Sequence, residues 1–136
     1  MDNANEIVWI KGEGFSPEEY ITLYISNKQI YINNEIMKQI GFDFNYIKVG
    51  IDKKKKKVYI KPISIGEEED YSLVDLNKFS LKTKKFLNSN LVKQMLDLIE
   101  PDIVKKSNSI RIKTEIKTIN DLGLMIVGDL TCVYPN

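Results

Sequence analysis

Two stretches of this chain match each other at a fixed spacing. Residues 31–40 read YINNEIMKQI, and residues 86–95 read FLNSNLVKQM, 55 positions further on. Asn33/Asn88, Lys38/Lys93 and Gln39/Gln94 are identical. Tyr31/Phe86, Ile32/Leu87, Ile36/Leu91, Met37/Val92 and Ile40/Met95 are apolar in both copies, and Asn34/Ser89 keeps a polar cap. An amphipathic hairpin follows each copy. The chain therefore reads as one unit of strand, short helix and hairpin used twice, over residues 1–65 and 66–136. Such a unit is too small to bury both its faces alone. Two of them in 136 residues are expected to pair around a shared apolar interface, as the halves of one compact domain.

The periodicity sets the elements. Over residues 18–26, Ile21, Leu23 and Ile25 alternate with Tyr20, Thr22 and Tyr24, a period of two that predicts a half-buried strand. Asn27-Lys28 is a tight turn, and residues 29–32 return as a second strand. Asn33 and Asn34 offer an N-cap to a helix over residues 35–40, which Gly41 stops. A hairpin follows, with Ile47, Val49, Ile51, Val58 and Ile60 on its inner face and Pro62 limiting its second strand. The acidic run Glu67-Glu68-Glu69-Asp70 separates the halves as a solvated linker. Beyond it, residues 71–76 and 79–82 read as strands. Residues 90–100 read as a helix ended by Pro101. Residues 109–117 alternate again, and the nearly unbroken apolar run 122–130 predicts a strand buried on both faces. Residues 7–10, with Trp9, read as an edge strand able to pair with a second chain, giving a homodimer. Trp9, Phe42 and Phe44 are core or subunit-interface candidates. The expected fold is α+β: mostly antiparallel β hairpins with two short helices, in pseudo-duplicated halves.

Residues 21–62 resemble the AbrB-type swapped-hairpin proteins. The resemblance lies in two strands, then IYINNEIMKQIGF, then the hairpin YIKVGID and VYIKP. In that family two copies interlock, and loops bearing basic residues contact DNA. The resemblance implies an AbrB-like single-chain version of the interlocked pair.

The absence of histidine removes imidazole catalysis and His-containing zinc sites, and a single cysteine, Cys132, removes disulfide frameworks. No nucleophile elbow is present. Gly12-Glu13-Gly14 lacks the third glycine of a dinucleotide fingerprint and reads as a loop turn. Neither an enzymatic activity nor a cofactor is expected. No apolar run approaches the length of a membrane helix, and residues 1–6 lack the regions of a signal peptide. With a lone thiol, the expectation is a soluble protein in the cytoplasm of a host cell.

The net charge is only +1, from 20 basic and 19 acidic side chains, and Arg111 is the sole arginine. Residues 1–65 carry +2 and residues 66–136 carry −1. That is not the profile of a nucleic-acid coat, and arginine is the usual bidentate reader of guanine. The cations are gathered instead at one place. Lys53, Lys54, Lys55, Lys56 and Lys57 occupy a hairpin tip, with Tyr46, Lys48, Tyr59 and Lys61 on the outer face beside it. A lysine tip suits phosphates through counterion release, and aromatic rings beside lysines suit stacking or protein contact. It suits equally a solvated tip that resists edge pairing.

Small size, near-neutral charge, a lysine tip and an Ile/Lys/Asn-rich composition resemble small proteins of Firmicutes phages and mobile elements. Two functions are expected from this. One is a non-enzymatic inhibitor, anti-CRISPR-like, that blocks a host-defence protein or nucleoprotein effector or sequesters a nucleotide signal. The alternative is an AbrB-like DNA-binding transcriptional regulator.

Overall fold

A computed structural model describes residues 6–10 and 19–135. The Gly12-Glu13-Gly14 turn and the expected strand residue Glu18 lie outside the described residues, as do residues 1–5.

The elements run β1 (Tyr20–Tyr24), β2 (Gln29–Ile32), α1 (Asn34–Ile40), β3 (Phe44–Asp52), β4 (Lys57–Ser64), β5 (Asn77–Lys78), β6 (Lys85–Leu87), α2 (Ser89–Leu98), α3 (Pro101–Lys105), β7 (Ser109–Ile119) and β8 (Gly123–Pro135). The strands form one sheet in the order β5-β3-β4-β8-β7-β1-β2-β6, antiparallel at every junction. The sheet curls until its ends approach. Ser80 bridges Lys85, and Asn88 Nδ2 donates to Asn77 Oδ1 at 2.7 Å. The result is an α+β fold: a nearly closed, barrel-like antiparallel sheet of eight strands with three short helices. No helix among the described residues is long and apolar enough to cross a membrane.

The alternating pattern decides the interior. Ile21 and Leu23 on β1, Ile30 and Ile32 on β2, Val58 and Ile60 on β4, and Ile110 and Ile112 on β7 are all fully buried. Ile36 and Met37 of α1 and Val92 and Met95 of α2 complete the core. Each such side chain contributes roughly 1.5–3 kcal/mol relative to exposure. Phe44 and Phe79 add a tilted ring pair with centroids 5.2 Å apart.

The two matched asparagines do the same work. Asn33 Oδ1 accepts from Glu35 N at 2.7 Å and Ile36 N at 3.4 Å, and Asn88 Oδ1 accepts from Leu91 N at 2.9 Å. Each satisfies amides that would otherwise be orphaned at a helix start. Gly41 ends α1 at φ 86°, a conformation that favours glycine.

Several expectations are corrected. Within the strand part of the repeat, pairing Tyr31 with Phe86 and Ile32 with Leu87 is off by one residue. Phe86 is buried opposite buried Ile30, while Leu87 is 61% exposed. A slip of one exchanges the two faces of a strand, so apolar identity alone cannot fix it. Residues 71–76 are not a strand. Glu67–Asp70 and Leu73–Asp75 form two 3-10 turns instead. Residues 79–82 enter a turn, with the strands displaced to β5 and β6 on either side. Pro101 does not end α2, which stops at Leu98; it opens α3, where the missing N–H removes no intrahelical bond.

Pro62 does not limit β4, which continues to Ser64. The pairing of β4 with β8 stops at Ile60, so the proline sits where that flank has no strand to bond. In β8 consecutive burial on both faces covers only Met125–Gly128, and Leu122 and Leu124 are exposed at the turn. Residues 7–10 form no strand, and Trp9 is 85% exposed, because the sheet's terminal strands lie against each other. Phe42, 56% exposed in the connection after α1, is not a core residue, whereas Phe44 is.

Candidate binding surface

The β3–β4 hairpin closes at the pair Asp52–Lys57, leaving Lys53, Lys54, Lys55 and Lys56 as its loop. Asp52 Oδ1 accepts from Lys54 N at 3.0 Å and Lys55 N at 3.1 Å, an Asx-type turn. Lys56 closes the loop at φ 54°. The β1–β2 and β5–β6 connections end alike, with Lys28 and Lys84 both at φ 57°. The tip backbone is thus held by its own hydrogen bonds, and all four loop lysines are exposed. No ion pair among the described residues involves them.

The other residues expected beside the tip sit differently. Lys57 belongs to β4, paired with Asp129 on β8. Tyr59 is half-buried between Gly50 and Val127, and Tyr46 is half-buried opposite Lys78 and Ile63. Lys48 and Lys61 face each other across the hairpin, about 13 Å from its turn. Both turn toward Tyr71, with each ammonium 5.4 Å from the ring centroid. Lys61 also donates to Tyr71 Oη at 3.0 Å and lies 3.9 Å from the Glu67 carboxylate. Of the nine residues, four form an exposed lysine tip, Lys48 and Lys61 form a separate pair of cations that clasps a tyrosine, and Lys57, Tyr46 and Tyr59 lie half-buried within the strands.

A scan of protein-family models and searches of curated proteins and of solved structures return no match.

The acidic run contributes to the clasp. Glu67 accepts from Ser64 N at 3.2 Å, and Glu68 accepts from Gly66 N at 2.6 Å, so the run is anchored to the end of β4. Hydrogen bonding from Ser64 holds the Glu67 carboxyl below the ordinary glutamate range against the opposing effect of burial, and Lys61 adds to the lowering. Among the described residues no group of three or more potential metal ligands converges.

Two features escape a reading of the sequence. Tyr71, expected in a strand, is the residue that gathers Lys48 and Lys61. An amide-lined cleft of about 270 Å³ holds Asn77, Asn88, Asn90 and Gln94 beside Gly50 and Leu91. Its amides bond one another, Asn88 to Asn77 and Gln94 Nε2 to Asn90 Oδ1 at 3.3 Å. Asn88, Asn90, Leu91 and Gln94 are neighbours at the start of α2 by their own spacing, whereas Asn77 from β5 and Gly50 from β3 join them only in the tertiary structure. A smaller cavity of about 120 Å³ between β4, β7 and β8 is lined by Lys57, Lys113, Glu115, Asp129 and Cys132. There Asp129 accepts from Thr131 Oγ1 at 2.6 Å and Thr131 N at 2.9 Å. These bonds, assisted by Lys57 and Lys113, hold its carboxyl below the ordinary aspartate range.

Proposed function

We propose that this chain is a non-enzymatic binding protein that blocks or sequesters a host-defence nucleoprotein, in the manner of an anti-CRISPR inhibitor of phage or mobile-element type. The supporting observation is the shape of its cationic surface. Lys53, Lys54, Lys55 and Lys56 stand on a hydrogen-bonded loop, while Lys48 and Lys61 are turned to Tyr71. The charge is presented as a point, on a chain whose net charge is +1. Lying along a duplex calls for a broad positive face. A point of charge suits one anionic notch on a folded partner, and a loop of fixed shape loses less entropy on docking.

A second reading is favoured by the strand order. Exchanging β1–β4 with β5–β8 leaves the ring β5-β3-β4-β8-β7-β1-β2-β6 unchanged once the Ser80–Lys85 bridge joins its ends. That order supports two pseudo-duplicated, interlocked halves, an AbrB-like swapped-hairpin barrel in one chain, and with it a DNA-binding regulator. Binding assays separate the two readings. The inhibitor reading expects host nucleoprotein effectors to be captured by the wild-type protein and lost when Lys53, Lys54, Lys55 and Lys56 become serine. It also expects no gel shift of duplex DNA at moderate salt. A duplex shift that survives moderate salt and falls in the same variant would replace it with the regulator.

A further inference from the structure

The outer side of five neighbouring strands carries a row of side chains aligned by register. Tyr134 on β8 lies opposite Arg111 on β7, Arg111 opposite Thr22 on β1, Thr22 opposite Tyr31 on β2, and Tyr31 opposite Lys85 on β6. Their sequence neighbours Ile21, Leu23, Ile30, Ile32, Ile110 and Ile112 are fully buried, so the row lies on the outer side of the sheet, where Thr22 at its centre is only 3% exposed and Arg111, Tyr31 and Lys85 are half-buried. Four strand spacings make it about 19 Å long. Flanking positions on the same side hold Tyr20 opposite Lys113, and Tyr24 opposite Ser109 and Gln29.

The cations and rings are already associated. The Arg111 guanidinium carbon lies 5.1 Å from the Tyr20 ring centroid, and Lys85 Nζ lies 4.8 Å from that of Tyr24. Tyr31 sits between these tyrosines. Partial burial, then the proximity of Tyr20 and Tyr24, pushes its hydroxyl above the ordinary tyrosine range. Four of the chain's seven tyrosines and its only arginine share this side. The positions named here hold Arg111, Lys85 and Lys113, and Glu115 and Asp129 lie beside Lys113 around the small cavity at one end of the row. Tyr134 is 57% exposed.

We propose that this face binds a single-stranded nucleic acid, with the tyrosine rings stacking on bases and Arg111, Lys85 and Lys113 meeting the phosphates. The charge selects a polyanion, and the rings select one with accessible flat faces. A duplex hides its base faces within its own stack, leaving the tyrosines nothing to stack against. A protein partner would call for an apolar centre, and among the described residues of these strands the exposed aliphatic side chain on this side is Leu87, at the β6 margin. The face excludes the β3–β4 hairpin, so it stands independently of the tip's role.

The test is fluorescence anisotropy with a labelled oligothymidylate of about a dozen nucleotides, at low and moderate salt. The wild-type protein is expected to bind, more weakly as salt rises. Tyr134→Ser and Tyr31→Ser are each expected to weaken binding about tenfold. Because Tyr134 is exposed, Tyr134→Ser should melt as the wild type does, which separates lost binding from lost fold. Serine at all four tip lysines should leave this affinity unchanged, distinguishing this face from the proposed docking tip. The proposal is overturned by failure to bind, by equal affinity for a duplex of the same length, or by equal competition from polyphosphate. Unchanged affinity in Tyr134→Ser would overturn it too.

Discussion

Gly128 lies directly opposite Val58 in the β4–β8 pair, and a side-chain carbon at Gly128 would stand 2.7 Å from Val58 Cγ1. The same carbon would meet Ile112 Cγ2 at 3.3 Å and Ile21 Cδ1 at 3.5 Å. All three neighbours are fully buried and β-branched, so none moves freely. Glycine here lets β4, β8 and β7 close around a core that has no room for another carbon.

Gly128→Ala is therefore expected to destabilise the fold by about 1–3 kcal/mol, the usual range for overpacking. Combining it with Val58→Ala should recover part of that loss, because the second change makes the space the first one needs. Urea denaturation of the two single variants and the double variant measures the coupling. Strictly additive losses would refute the steric account.

Lys28, Lys56 and Lys84 each end a hairpin loop in the left-handed region, with φ between 54° and 57°. A residue with a Cβ is disfavoured there by roughly 1–2 kcal/mol, and glycine is not. Lys28→Gly and Lys84→Gly are each expected to stabilise the protein by about 1 kcal/mol, raising its melting temperature by about 3–5 °C. Calorimetry showing lower melting temperatures in both would contradict the assigned loop conformation.

Thr114 is 3% exposed, and its Oγ1 has no hydrogen-bond partner among the described residues. Thr114→Val keeps the branched shape and removes the buried hydroxyl, and is expected to stabilise by about 1 kcal/mol. Loss of stability on chemical denaturation would mean that the hydroxyl is bonded after all.

Asp129 titrates below the ordinary aspartate range because Thr131 donates to it, with Lys57 and Lys113 assisting. A carboxyl depressed in the folded state contributes stability that is fully present above its unfolded value. That contribution is lost as pH falls through the folded value. Stability should therefore decline below about pH 4. Asp129→Asn should flatten that part of the decline while lowering stability at neutral pH. Parallel profiles of wild type and variant between neutral and acid pH would show that this carboxylate is not involved.

The sequence by itself determined what local chemistry can specify. Alternation placed Ile21, Leu23, Ile110 and Ile112 inside, the shared asparagines marked both helix starts, and Gly41 marked an end. It also marked the tip lysines. Tertiary structure decided whatever depends on which strands become neighbours. The period of two assigns faces but not partners, so the pairings of β1 with β7 and β4 with β8 had no local signal. The pairing of β4 with β3 runs past Pro62, that of β6 with β2 sets Phe86 opposite Ile30, and the pairings of β8, β7, β1, β2 and β6 align Tyr134, Arg111, Tyr31 and Lys85 in one row. The turn of Lys48 and Lys61 toward Tyr71 was equally hidden, because it depends on where the chain after β4 comes to rest. A side chain's face is set by its own backbone, and its company by segments distant along the chain.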